Sequence, residues 1–157
     1  MKLLAASALL FGSVLVAQSA APPAGYHYWS RNDLEKMANA LAPQMDEHKF
    51  KTDIIASAGK NRFQITHREA GGESELHESL SDVVFVQSGR ATLIYGGKMI
   101  AAKSTGPGEV RGTGIDGGEK QVVGPGDVVV VPSKLPHMIT PEKGEAFNYF
   151  VVKVADQ

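Results

Sequence analysis

Cysteine is missing from the 157 residues of this chain. The chain therefore cannot form disulfide bonds, and its stability has to come from a hydrophobic core. The absence also excludes catalysis by a thiol and removes thiolates from the possible metal ligands. A chain of this length can form one compact domain with its own core, but not two domains of ordinary size.

Basic residues are not concentrated in any part of the sequence. The chain has 16 Lys and Arg against 17 Asp and Glu, a formal net charge of −1, and shows no basic face of the kind that binds nucleic acid. We therefore expect no nucleic-acid partner. Two catalytic signatures are also missing, a Gly-x-Ser-x-Gly nucleophile elbow and a strand–glycine–helix unit for a dinucleotide.

A long membrane-spanning run is missing as well. After Met1 and Lys2, residues 3–17 are almost wholly apolar or small, but about 15 such residues fall short of the roughly 20 that span a bilayer. Small residues then offer a cleavage site at 18–21. This layout predicts a secretory signal peptide over residues 1–20, with a membrane anchor as the rival interpretation. Cleavage would leave a periplasmic or secreted protein with no stable membrane anchor.

The first patterned segment of the remaining chain predicts a helix. Leu34, Met37, Ala38 and Leu41 are spaced so that they form one apolar stripe on a helix. Ser30, which precedes them, is a residue type that caps helix N-termini. We expect this helix to pack across the outside of a β domain.

Beyond an N-terminal extension over residues 21–50, short apolar runs alternate with Gly and Pro turns. This pattern predicts an all-β sandwich or barrel over residues 51–157. The glycine-rich segment 98–120 is poorly periodic and predicts a long loop with one short strand near residues 109–111. Such a loop is either a functional lid or a simple surface excursion.

Two segments of the β part resemble the sequence motifs of the cupin superfamily. The first motif of that family reads Gly, five residues, His-x-His, three or four residues, Glu, six residues, Gly. In this chain Glu75-x-His77 stands at the His-x-His position. Asp82 follows after four residues at the Glu position, and Gly89 follows after six more.

The second cupin motif reads Gly, five residues, Pro-x-Gly, two residues, His, three residues, Asn. Gly126, Pro132 and His137 keep this register. Lys134 replaces the inner glycine, and Pro141 replaces the asparagine.

The resemblance covers roughly residues 60–153 and implies a cupin-like β-barrel, that is, a double-stranded β-helix or jelly roll, with the α-helix N-terminal to it. Cupin barrels often hold one divalent metal, and the usual ligand set implied by the family is three histidines and a glutamate. Only two of those histidines, His77 and His137, are present in this chain.

Four side chains are candidate metal ligands. Residues i and i+2 of a strand point to the same face, so Glu75 and His77 can face one cavity. Asp82 can return to that cavity across the following turn, and His137 arrives from a distant segment. Two imidazoles and one or two carboxylates suit Fe, Mn, Ni, Cu or Zn. The alternative for Asp82 is to cap the turn, because its side chain is one methylene shorter than that of Glu.

Two further residues are candidates for binding a substrate. His67 lies on the strand that enters the first motif, on the same face as Phe63 and Ile65, which we expect to point inward. Arg111 could bind a carboxylate or phosphate in a bidentate manner. The alternatives are a hydrogen-bonded core histidine and a surface arginine paired with an acid.

We therefore predict an exported barrel that binds a small molecule, with two hypotheses for its use. One is a divalent-metal-dependent enzyme of oxygenase, isomerase or lyase type that acts on a small polar organic substrate. The alternative is a metal-free ligand-binding or sensor barrel without catalysis, which the missing family histidine and asparagine favour. The resemblance also implies a homodimer, since apolar strand edges in cupins commonly pair.

Overall fold

The computed structural model describes residues 21–156, so the predicted signal peptide lies outside the described residues. The predicted domain boundaries near residues 20 and 50 stay predictions. No helix of the described part is both long and apolar enough to cross a membrane. The elements in chain order are α1 Arg31–Leu41, a 3-10 turn Ala42–Gln44, β1 Phe50–Ala58, β2 Asn61–Arg68, β3 Ser74–His77, β4 Leu80–Ser88, β5 Ala91–Tyr95, β6 Lys98–Ile100, β7 Lys103–Gly106, β8 Glu109–Gly112, β9 Gly114–Asp116, β10 Glu119–Val123, β11 Val128–Val131, β12 His137–Pro141 and β13 Phe147–Ala155.

Helix α1 starts at the predicted cap. The Ser30 hydroxyl accepts a hydrogen bond from the Asp33 backbone N–H, and the Asp33 carboxylate accepts one from the Ser30 backbone N–H. This reciprocal capping satisfies two donors that a helix start otherwise leaves without partners. Ala38 and Leu41 are buried against Ile65 of β2. The expectation that the helix covers the outside of the β domain is therefore confirmed.

The strands form two antiparallel sheets and one small ribbon. One sheet has the order β1-β2-β13-β4-β11, the other has the order β10-β5-β12-β3-β8-β7, and β6 pairs with β9. Neighbours in the sheets are mostly distant in sequence, as in a jelly roll. The buried side chains of the main apolar cluster come from both large sheets. The predicted all-β fold with an N-terminal α-helix is confirmed.

Side-chain alternation along β2 decides what faces the interior. Gln64 and Thr66 line the cavity between the sheets, whereas Ile65 lies under α1. The same alternation on β13 turns Val151 and Lys153 into the cavity. The interior face of β2 is therefore the polar one, and its apolar face is the one that the helix covers.

The glycine-rich segment is not a long loop, which corrects the prediction for residues 98–120. It folds into the five short strands β6 to β10. Tight turns join these strands, and Gly108 and Gly117 in them have φ values of 74° and 72°, which favour glycine. Strands of three to five residues are too short for a two-residue period to show in the sequence.

Candidate functional site

A cavity of about 430 Å³ lies between the two large sheets. Its volume falls within the roughly 300–1,000 Å³ of typical small-molecule sites. One part of its wall is apolar and includes Val84, Leu93, Val123, Ile139 and Val151. The rest of the lining includes the ionisable side chains, so the cavity wall is partly apolar and partly charged.

His77 is the last residue of β3, and its buried side chain lines the cavity. Its Nδ1 lies 2.8 Å from Oε2 of Glu109 on the neighbouring strand β8. An ionised carboxylate only accepts hydrogen bonds, so Nδ1 of His77 carries a proton. Nε2 is the ring nitrogen that faces the interior.

His137, the first residue of β12, is oriented in a similar way. Its Nδ1 lies 3.1 Å from the backbone carbonyl oxygen of Leu135, which can only accept. Burial lowers the pKa of His137, although the charges of Glu75 and Asp82 act in the opposite direction. The ring is therefore neutral at neutral pH, with the Nε2 lone pair available. The two ring centroids are 5.3 Å apart.

Glu75 also lines the cavity and forms ion pairs with two arginines. Its Oε1 lies 3.2 Å from Arg68, and its Oε2 lies 3.5 Å from Arg111. Burial acts to raise the pKa of this carboxyl, but Arg111 and the other nearby cations lower it to about 2. Glu75 is therefore a carboxylate throughout the physiological pH range.

Three of the four predicted ligands form a group that could hold a metal ion. One ligand atom from each of Glu75, His77 and His137 lies within 4.8 Å of the other two. The hydrogen bonds to Nδ1 of each histidine orient both Nε2 atoms inward, which is how ligating histidines are usually held. By donor type and orientation, these three residues fit a divalent metal.

Asp82, the fourth predicted ligand, lies in the cavity but is engaged by a lysine. Its Oδ2 is 2.6 Å from Nζ of Lys153 and 3.4 Å from Nε2 of His77. Burial acts to raise the pKa of Asp82, and the proximity of His77 and Lys153 outweighs it, so the pKa is lowered. The same Nζ lies 2.7 Å from Nε2 of His77. A lysine nitrogen therefore stands beside the lone pair that a metal would use.

Of the two predicted substrate-binding residues, the structure brings only Arg111 into the cavity. Arg111 lines the cavity and also lies 3.2 Å from Oε2 of Glu109. His67 lies on the other face of β2, where Nδ1 is 2.7 Å from Oδ1 of Asn148. The expected inward orientation of His67 is corrected, because the polar face of β2 is the one that lines the cavity. Its role in substrate binding stays a prediction that this placement does not support.

The sequence motifs do not reveal four of the charged residues of the cavity. Lys153 lies in the largely apolar strand β13. It is on the same face of that strand as the buried Val151 and Tyr149. A lone charge on the buried face of a strand is a signal that could have identified it. The other three, outside the positions of the cupin motifs, are Arg62, Arg68 and Glu109.

No protein-family model and no curated protein matches the chain. Solved structures are similar in fold. The cupin domain of Cnp3 from Schizosaccharomyces pombe superposes with a TM-score of 0.51 at 11% identity, over 73% of this chain and 67% of that one. A cupin superfamily protein from Desulfitobacterium hafniense superposes with a TM-score of 0.50 at 16% identity, over 74% of this chain and 88% of that one.

The chain has a cupin fold. Streptomyces PAC13, solved with uridine, is also similar to this cupin barrel, with a TM-score of 0.51 at 10% identity over 72% of this chain and 75% of that one. At such identities the similarities establish the cupin fold and no activity. The fold expected from the two sequence motifs is confirmed.

Proposed function

We propose that this cupin barrel binds a small organic anion in the cavity between its sheets. The observation that carries the proposal is the charge of the cavity wall. Four cationic and three anionic side chains line it, an excess of one positive charge when the histidines are counted as neutral. They are Arg62, Arg68, Arg111, Lys153, Glu75, Asp82 and Glu109.

Arg62 is the cation that an anionic ligand would meet. Within residues 21–156 its side chain makes no ion pair, whereas the other three cavity cations each have an acidic partner. Arg62 lies opposite Lys153 in the pairing of β2 with β13. Like charges directly opposite each other destabilise a sheet. A carboxylate between them would relieve that repulsion and could accept two hydrogen bonds from the guanidinium.

The apolar residues of the cavity wall favour a ligand with a hydrocarbon or aromatic body. A ligand that places its carboxylate near Arg62 would rest its body among Val84, Leu93 and Val151. Burying that apolar area contributes roughly 25 cal/mol per Å². A structural relative solved with uridine supports the idea that a barrel of this fold takes a small organic molecule.

Calorimetric titration with a panel of small organic carboxylates, each paired with its neutral amide, tests this proposal. We expect at least one carboxylate to bind, its amide to bind more weakly, and Arg62→Gln to lower the affinity by roughly tenfold or more. Arg31→Gln, an exposed change on α1, is the matched control and should bind like the wild type. Equal affinities of carboxylate and amide, or an unaffected Arg62→Gln variant, would contradict the proposal.

The triad of Glu75, His77 and His137 favours a second candidate function, a metal-dependent enzyme of oxygenase, isomerase or lyase type. Fe, Mn, Ni, Cu or Zn bound by these residues would act as a Lewis acid on a substrate oxygen. Glu109 and the Leu135 carbonyl would keep the histidines oriented. Elemental analysis of protein purified without chelators tests this candidate. One tightly bound metal per chain, lost in His77→Ala, supports it, and less than a tenth of an equivalent counts against it.

Two further predictions concern location and assembly. Export to the periplasm or the medium is proposed from residues 1–20, and N-terminal sequencing of the mature protein would show whether cleavage occurs near residue 20. A homodimer is proposed from the edge strand β11, where Val128 and Val130 are 57% and 63% exposed. Light scattering coupled to gel filtration measures the mass, and a strict monomer argues against the dimer.

A further inference from the structure

We infer that the ammonium group of Lys153 takes the place of a metal ion in this barrel. The inference deepens the proposed function, on which it rests for the identity of the ligand. Lys153 supplies the positive charge beside His77 and Asp82 from the chain itself, and it presents that charge to an oxygen atom of the bound anion.

The position of Nζ is the first observation. It lies 2.6 Å from Oδ2 of Asp82 and 2.7 Å from Nε2 of His77. Oδ2 of Asp82 in turn lies 3.7 Å from Nε2 of His137. The lysine nitrogen therefore stands among the inward-facing atoms of two predicted metal ligands, within hydrogen-bonding distance of both.

The chemistry of the surrounding atoms is the second observation. Nε2 of His77 is the acceptor in its contact with Nζ, because an ammonium group only donates and Glu109 already accepts the proton on Nδ1. Asp82 presents a carboxylate that is only 7% exposed. A lone pair and a buried negative charge require a cation or hydrogen-bond donors, and an ammonium group satisfies both requirements.

The donor capacity of Lys153 connects this centre to the ligand. An ammonium group has three N–H donors, and Asp82 and His77 accept two of them. Within residues 21–156 no other hydrogen bond from Nζ is formed, and the side chain lines the cavity opposite Arg62. The third N–H is thus available for an oxygen of the ligand, which would lie between Lys153 and Arg62.

A protonated lysine and a divalent metal cannot share this position. Two cations about 2–3 Å apart repel each other strongly, and the metal would also need the Nε2 lone pair to which Lys153 donates. Removal of the ammonium group should therefore convert the centre into a metal site. The ligand set would be His77, His137 and Glu75, with Asp82 released to join it.

Titration with Co²⁺ alone, followed by calorimetry and by visible absorption, tests the inference. We expect Lys153→Gln to bind one Co²⁺ at least tenfold more tightly than the wild type does, with the absorption of a histidine-ligated ion. Lys153→Met provides a second variant with no donor. Adding His77→Ala to Lys153→Gln should abolish the gain. Lys120→Gln, an exposed change on β10, should leave Co²⁺ binding at the wild-type level.

Three results would overturn the inference. The first is a wild type that already binds one equivalent of Co²⁺ tightly, with the absorption of a histidine-ligated ion, and this measurement needs no variant to fold. The second is the absence of any gain in both folded lysine variants. The third is a gain that survives His77→Ala.

The same variants separate this inference from the proposed function. In the carboxylate titration, Lys153→Gln should lose at least tenfold in affinity while it gains Co²⁺, whereas Arg62→Gln should lose carboxylate affinity without gaining Co²⁺. If no carboxylate binds the wild type, the proposed function fails, and the Co²⁺ titrations still decide whether Lys153 occupies the metal position.

Discussion

Removal of the Lys153 ammonium group should destabilise the protein strongly. In Lys153→Met, the Asp82 carboxylate, 7% exposed, would lose the cation that lies 2.6 Å away. Within residues 21–156, Oδ1 of Asp82 has no hydrogen-bond partner, so little else compensates its charge. Breaking a buried ion pair in this way costs about 3–5 kcal/mol. That is a large part of the roughly 5–15 kcal/mol by which a domain is stable.

The interaction of the two groups is measured by a double-mutant cycle. Asp82→Asn alone should also be costly, because it leaves the lysine buried without a carboxylate. The combined Asp82→Asn and Lys153→Met variant removes both charges, and replacing a whole buried pair by neutral groups is often nearly neutral. The double variant should therefore lose at least about 2 kcal/mol less than the sum of the single losses.

Urea unfolding followed by tryptophan fluorescence provides the assay. Trp29 is the single tryptophan of the chain and packs against Phe63 and Phe150, with ring centroids 6.3 Å and 5.9 Å apart. A chelator in the buffer prevents adventitious metal from filling the altered centre. Strictly additive losses, or a loss below about 1 kcal/mol for Lys153→Met, would refute the account of Asp82 and Lys153 as a tightly coupled buried pair.

Three other predictions concern Glu75, Gly89 and Phe147. The pKa of Glu75 is lowered from 4.5 to about 2, so its charge stabilises the folded state above pH 4.5, and this contribution is lost as the pH falls towards 2. At 1.36 kcal/mol per pKa unit it is worth roughly 3 kcal/mol, of which about 2 kcal/mol should disappear between pH 6 and pH 3. Unfolding titrations across that range should show the wild type approaching Glu75→Gln, and a constant gap would contradict the assignment. Gly89→Ala should lower the melting temperature markedly, because φ is 75° and a Cβ would overlap the carbonyl oxygen of Ala146. Gly144 has a similar φ of 83° but open space around it. Gly144→Ala is therefore the matched control for backbone strain alone. Phe147→Ala should cost about 3–5 kcal/mol in urea unfolding, because the side chain is fully buried in the core that both sheets share, and a loss below about 1 kcal/mol would mean that the core repacks around the gap.

The features that could be predicted from the sequence are those marked by a regular spacing of residues or by a residue type that begins or ends an element. The stripe through Leu34 and Leu41 predicts α1 because helical spacing spans the whole element, and Ser30 marks its start. The motif spacing correctly places His77 and His137 in one cavity. In these cases a short-range pattern in the chain determines the local geometry.

The features that were not predictable depend on partners that are distant in sequence. Lys153 and Asp82 are 71 positions apart in the chain, and no local pattern in the sequence indicates their contact. The orientation of β2 depends on α1, which covers the face of Ile65 and leaves Thr66 to the cavity. A two-residue period defines two faces of a strand, but only the rest of the fold decides which face is inside.

Strand β13 is the last strand among residues 21–156 and the middle strand of its sheet, between β2 and β4. A growing chain that has not yet reached residue 147 therefore leaves the inner edges of both neighbours without hydrogen-bonding partners, and such edges are prone to aggregation. The pairing of β13 with β2 and β4 joins residues that are far apart in sequence, which slows folding. Because β13 also carries Lys153, the step that closes the sheet also brings the Lys153 ammonium group to Asp82 and His77.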